Sequence, residues 1–195
     1  MRLYNLVPAD SPVNDWLFWY EDDAGFLRPR QSYADLVCRA CGKLDEIAAI
    51  KRGIDPGVTI KSRRDIIELS DGQIAVSGRA REVFQHAGIK GLRFIQIPNG
   101  NRTVLWPDVR VRTDPNTAGF EFVDPKCYAC GRYREICVGP LSCSLTVPDD
   151  PMVVFASEVW NENIRGRVLW LFAQRPVVDS LRKRRLSGLE IVSAM

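Results

Sequence analysis

Histidine is nearly missing from this chain: one residue, His86, in 195. That excludes a histidine-rich metal site, and any Ser-His-Asp relay would have to be built on His86 alone. No G-x-S-x-G elbow, phosphate-cradling G-x-x-x-x-G-K-[ST] loop or G-x-G-x-x-G fingerprint occurs. No stretch approaches the roughly 18–20 apolar residues that a membrane-spanning helix needs. The opening residues, Met1 to Asp10, do not resemble an apolar leader, so the expected compartment is the reducing cytoplasm. Charge of one sign is also scarce. With 27 basic and 24 acidic residues the net charge is +3, too even to argue by itself for nucleic acid or a membrane surface. Carboxylates do occur in groups, Glu21-Asp22-Asp23 and Asp149-Asp150, but in turn-like contexts where a solvated loop is the ordinary outcome. With His86, Asp149 and Asp150 as the only candidates, no catalytic constellation emerges and a non-enzymatic protein is expected.

Cysteine is what the chain has in quantity for an intracellular protein, six in all. Four of them form two knuckles, Cys38-Arg39-Ala40-Cys41-Gly42 and Cys127-Tyr128-Ala129-Cys130-Gly131. Two thiols three positions apart, followed by a glycine that lets the backbone turn its N–H groups toward sulfur, can bite one metal ion. Two knuckles supply the four thiolates of a tetrahedral structural zinc, so Cys38, Cys41, Cys127 and Cys130 are the expected Zn2+ ligands. Cys127, Cys130, Cys137 and Cys143 form a second possible set, which would leave Cys38 and Cys41 without metal. Neither knuckle follows a strand and opens a helix, as a thioredoxin-like redox pair would. Four thiolates leave no open coordination position, so the site would hold the fold together rather than catalyse.

The rest of the chain, 46% apolar, reads as a folded α+β protein. Residues 2–7 and the aromatic-dense 15–20 suggest strands. Gln73–Val76 is strand-like, Ser77 is a helix N-cap, Ala80, Val83, Phe84 and Ala87 share one helical face, and Gly88 ends the helix before a strand at 92–97. The C-terminus repeats the plan: a strand at 167–173, a helix opened by Pro176 with Val177, Val178 and Leu181 inward, then a strand at 190–192. The two stretches align with Gly91 over Gly188, Ile74 over Leu171 and Phe84 over Leu181. The expected architecture is therefore two related strand–helix–strand halves, 1–110 and 111–195, each preceded by a knuckle, interlocked, and joined by one zinc.

The knuckles, together with Ser144-Leu145-Thr146-Val147-Pro148-Asp149-Asp150 and the closing stretch Val178 to Leu189, resemble the double-CXXCG motif family of myxobacteria, which includes SitI-type immunity proteins. The resemblance is best from about residue 120 onward. It implies a non-enzymatic protein that binds one cognate toxin and blocks it, and it transfers only the four knuckle cysteines as site residues. The interface residues are not implied. Trp16, Phe18, Trp19 and Tyr20, the Trp160–Asn163 stretch and the basic Arg182–Arg185 run are candidates for a partner surface, each balanced by core packing or a solvated face. The alternative function is a zinc-knuckle nucleic-acid binder, in which the basic run would meet phosphate.

Overall fold

Short strands, several of them buried at every position, pack with three short helices. The computed structural model describes residues 2–11, 15–111, 120–123, 125–133, 135–138, 146–158, 161–162, 167–168 and 170–194. In chain order the elements are β1 (Leu3–Asp10), β2 (Trp19–Glu21), β3 (Leu27–Pro29), a 3-10 turn (Gln31–Leu36), α1 (Glu46–Arg52), β4 (Ile66–Glu68), β5 (Ile74–Ser77), α2 (Gly78–His86), β6 (Leu92–Gln96), β7 (Arg102–Pro107) and β8 (Arg110–Val111). There follow β9 (Phe120–Val123), β10 (Glu135–Val138), β11 (Phe155–Ser157), β12 (Asn161–Glu162), β13 (Arg167–Val168), β14 (Leu171–Gln174), α3 (Arg175–Arg182) and β15 (Leu189–Ser193).

One mixed nine-stranded sheet dominates. Its pairings run β6–β7–β5–β4–β1–β14–β11–β8, and β15 adds to β1. Because only Asp108 and Val109 separate β7 from β8, the ribbon returns to the strand beside which it began, and the sheet curls into a ring. Strands from both sides of residue 110 share this sheet, and the expected boundary falls within β8 itself. Inside the curl lie Leu6, Ile67, Ala75, Val104, Ala156 and Leu171, all buried in one core. Two smaller sheets stand apart: β13–β12–β10–β9 and the β2–β3 hairpin.

The two sides of the curl carry matching registers. Leu92 pairs with Pro107 and Gln96 with Thr103, just as Leu189 pairs with Pro8 and Ser193 with Tyr4. Ile74 faces Leu105 and Ser77 faces Arg102, while Leu171 faces Leu6 and Gln174 faces Leu3. The glycines correspond as well. Gly91 has φ +82 and Gly188 φ +78, the left-handed region. A Cβ on Gly91 would sit 2.2 Å from the Val154 carbonyl oxygen, and one on Gly188 2.1 Å from that of Ile66. The backbone is drawn this close because Val154 and Asp108 donate their N–H groups to Lys90 and Gly91 at 2.9 Å, as Ile66 and Ala9 donate to Ser187 and Gly188 at 3.0 and 2.8 Å.

The helix expected after Ser77 is α2. The Ser77 hydroxyl accepts the Ala80 N–H at 3.1 Å, Ala80 and Phe84 are buried, and Gly88 takes φ +67 just beyond the end. In α3, Val177, Val178 and Leu181 are buried as their spacing predicts. Two strand expectations need correction. The stretch 15–20 is strand only from Trp19, because the N–H groups of Leu17 and Phe18 donate to the buried Asp71 carboxylate at 2.9 and 2.8 Å rather than to a neighbouring strand. Burial raises the carboxyl of Asp71 to about 6 despite those bonds. The stretch 167–173 is two strands: Arg167–Val168 belongs to the four-stranded sheet and Leu171–Gln174 to the main one.

A titrating group lies where β1 and β4 run parallel. Asp10 and Glu68 are register partners, and burial, reinforced by the charge of Asp10, pushes the Glu68 carboxyl from 4.5 up to about 7. The folded chain holds this proton more tightly than the unfolded chain. Its contribution to stability is therefore complete below about pH 4.5 and is lost as pH rises through 7. Glu68→Gln is expected to gain about 1–2 kcal/mol at pH 8 after allowance for solvent screening, and to change little at pH 4, as read from urea unfolding at both pH values.

Candidate metal centre

Each knuckle is a tight turn closed by its own backbone. Gly42 donates its N–H to the Cys38 carbonyl and Cys38 to that of Lys43, both at 2.8 Å; Gly131 and Cys127 donate in the same way to Cys127 and Arg132 at 2.8 Å. Gly42 and Gly131 take φ +74 and +69 to permit the turn. The turn aims N–H groups at sulfur. Those of Cys41 and Ala40 reach the Cys38 thiol and lower its pKa. Those of Cys130 and Ala129 bring Cys127 down to about 6. The other two thiols move the opposite way. Desolvation, then the crowding of neighbouring sulfurs, pushes Cys41 up to about 12 and raises Cys130, although Lys43 and Arg132 each turn an N–H toward them.

The ligand atoms of Cys38, Cys41, Cys127 and Cys130 all lie within 4.8 Å of one another. Like faces like: Cys38 Sγ is 3.8 Å from Cys127 Sγ, and Cys41 Sγ is 3.6 Å from Cys130 Sγ, each pair 89 positions apart in the chain. A disulfide would bring sulfurs to about 2.05 Å, and all four cysteines are free. Four sulfurs at about 2.3 Å from one ion in a tetrahedron are about 3.8 Å apart, so the spacing fits a metal of that size. A cation placed among the four sulfurs would favour the thiolate form of all of them. The arrangement can therefore close around one ion and leaves it no position for water or substrate.

A second link crosses between the knuckles. Arg132, directly after the second, reaches back to the first: Nη1 donates to the Leu44 carbonyl and Nη2 lies 3.4 Å from the Glu46 carboxylate. Glu46 opens α1 and its side chain is only 3% exposed. Taking the guanidinium away removes a charge-assisted contact from that buried carboxylate and a donor from the Leu44 carbonyl, which costs about 1.5–3 kcal/mol. Arg132→Ala is expected to destabilise by that amount in chemical denaturation, and adding Glu46→Gln should restore part of it. The pair was readable in principle. The knuckles extend into a repeated C-x-A-C-G-[KR]-x-x-E, with Lys43 and Arg132 at one repeated position and Glu46 and Glu135 at another.

The other candidates are scattered. His86 is exposed on the last turn of α2. Asp150 pairs with Lys90 at 2.8 Å and accepts the Met152 N–H at 2.9 Å, a loop-fastening role, and Asp149 is exposed. Asp22 accepts N–H groups of Ala24 and Phe26 and pairs with Arg28, fixing the β2–β3 turn. Trp16 and Phe18 are core residues, whereas Tyr20 is 42% exposed. Residues 182–185 are exposed, with the guanidinium of Arg182 over the Tyr4 ring. Trp160, Cys143 and the side chain of Cys137 lie outside the described residues, so the second cysteine set falls there in part. No helix among the described residues is long and apolar enough to cross a membrane. No protein-family model matches the chain, and no curated protein matches it.

Proposed function

We propose that this protein is a non-catalytic binder whose two knuckles are stapled by one structural zinc, and that its target is a toxin protein which it neutralises by occlusion. The observation that carries the staple is the convergence of Cys38, Cys41, Cys127 and Cys130 within 4.8 Å from knuckles 89 positions apart. A closed thiolate site spends its binding free energy on folding. Zinc suits four sulfurs at these separations.

The chain is read as two related units, one ending in β6 and β7 and the other in β15 and β1. On this reading the N-terminal strand completes the C-terminal unit, and the matched registers support it. The immunity role comes from the resemblance of the knuckles and of the Val178–Leu189 stretch to the double-CXXCG family. With a net charge of +3, mimicry of nucleic acid is a poor route to inhibiting a nuclease. Shape-complementary blocking suits this composition better. The test is calorimetry between the zinc-loaded protein and the product of the neighbouring gene. A 1:1 complex with Kd of about 1 nM or tighter is expected. No saturable binding there, with salt-sensitive binding of mixed DNA or RNA in its place, would replace the toxin-binding reading with the nucleic-acid one.

A further inference from the structure

Two hollows flank the thiol cluster and correspond across the repeat. One, of about 500 Å³, includes Val37, Cys38, Ala129 and Cys130, with Asp35 and Asp45 on its wall. The other, of about 340 Å³, includes Lys126, Cys127, Ala40 and Cys41, with Tyr128 and Tyr133 on its wall. Where the first has two carboxylates the second has none among the described lining residues. At the repeated positions, Val37 is replaced by Lys126, Arg39 by Tyr128 and Leu44 by Tyr133.

The surroundings differ too. Leu44 is 2% exposed, inside the main core beside α1. The second knuckle lies between β9 and β10, and its aromatics face outward. Tyr128 is 94% exposed and Phe122 on β9 is 37% exposed. At the edge of the hollow the Phe122 ring lies tilted 4.7 Å from the Tyr133 ring centroid, and the Lys126 ammonium sits 4.6 Å from it. The knuckle turn fixes the backbone of Tyr128, so only its side-chain torsions are left to order when a partner covers it. Tyr128 is exposed and Tyr133 half-buried, and tyrosine is enriched among the anchors of protein interfaces.

We infer that the hollow bounded by Lys126, Tyr128 and Tyr133 is the docking site for an acidic segment of a partner protein, which places one apolar side chain between the two tyrosines. Charge selects this occupant. Four thiolates around a divalent ion carry two net negative charges; Arg132 is paired with Glu46, and Lys43, Lys126 and Arg39 set three positive charges around them, with no carboxylate among the described lining residues of this hollow. Lys126 and the exposed Arg39 then face outward and attract carboxylates. A hollow of this volume takes one or two side chains. Nucleic acid would need a longer run of cations along its phosphates.

The inference rests on the binder reading but is tested without the partner. The zinc-loaded, 15N-labelled protein is titrated with the acetylated, amidated pentapeptide Glu-Glu-Phe-Glu-Glu and followed by amide chemical shifts. Saturable shifts at Ala40, Lys126, Tyr128 and Tyr133 are expected, with half-saturation at or below about 1 mM. Lys126→Glu should weaken binding about tenfold with zinc content unchanged. The Gln-Gln-Phe-Gln-Gln peptide should bind more weakly than its acidic counterpart. Absent shifts, shifts centred elsewhere, indifference to Lys126→Glu, or a ten-residue oligothymidine binding the same amides more tightly than the peptide would overturn the assignment. Failure of the calorimetric complex alone would instead count against the toxin as target.

Discussion

Gly188→Ala is expected to cost more than about 3 kcal/mol, with Gly91→Ala close behind. At both sites the backbone is in the left-handed region, which for an L residue costs about 1–2 kcal/mol. The larger cost is contact: the new methyl would stand 2.1 or 2.2 Å from a carbonyl oxygen that is itself pinned at the start of a strand. A main-chain atom cannot move aside as a flexible side chain can, so β4 or β11 must shift with it. In a domain of this size, 3 kcal/mol lowers the melting temperature by about 6–12 °C. Gly25 and Gly88 are the controls. They also have positive φ, +79 and +67, but a Cβ there meets nothing within 4 Å. Alanine at those two sites should cost only the backbone share of about 1–2 kcal/mol. Equal costs at all four sites would mean that the close approach is not part of the fold.

Cys38→Ser is expected to damage both knuckles, although it alters only the first. The partner sulfur Cys127 is 3.8 Å away, and an ion that loses one of four thiolates is held far less well by the remaining three. Hydrogen exchange is the readout. Amide protection should fall at least about 100-fold at residues 127–132 as well as at 38–46, while the curled sheet keeps its own protection. Melting temperature should fall as well, with an overall loss of about 3 kcal/mol or more. Protection lost only at 38–46 would show that the two knuckles do not share an ion.

What could be read from the sequence was local. C-x-x-C-G is a five-residue signal whose geometry follows from its own backbone, so the four thiols were identifiable before any fold was known. The α2 helix was equally legible, because a capping serine and a 3.6-residue apolar period are written within one segment. Pairing across the chain was not. Nothing near Leu3 announces that β1 will lie between β14 and β4 and carry β15 on its flank, and without that the closure of the sheet into a ring cannot be seen. The aromatic run ending at Tyr20 had strand composition, but the N–H groups of Leu17 and Phe18 are taken by Asp71, more than fifty positions away. The ion pair of Arg132 and Glu46 spans 86 positions, and only the repeated C-x-A-C-G-[KR]-x-x-E pattern points to these two residues.

Zinc content tests the central claim most directly, measured by native mass spectrometry on protein purified without added metal. The account predicts one zinc per chain in the wild type and in Cys137→Ser/Cys143→Ser, and none retained stoichiometrically in Cys38→Ser or Cys130→Ser. A wild type without metal, or zinc that survives Cys38→Ser but is lost from Cys137→Ser/Cys143→Ser, would contradict it.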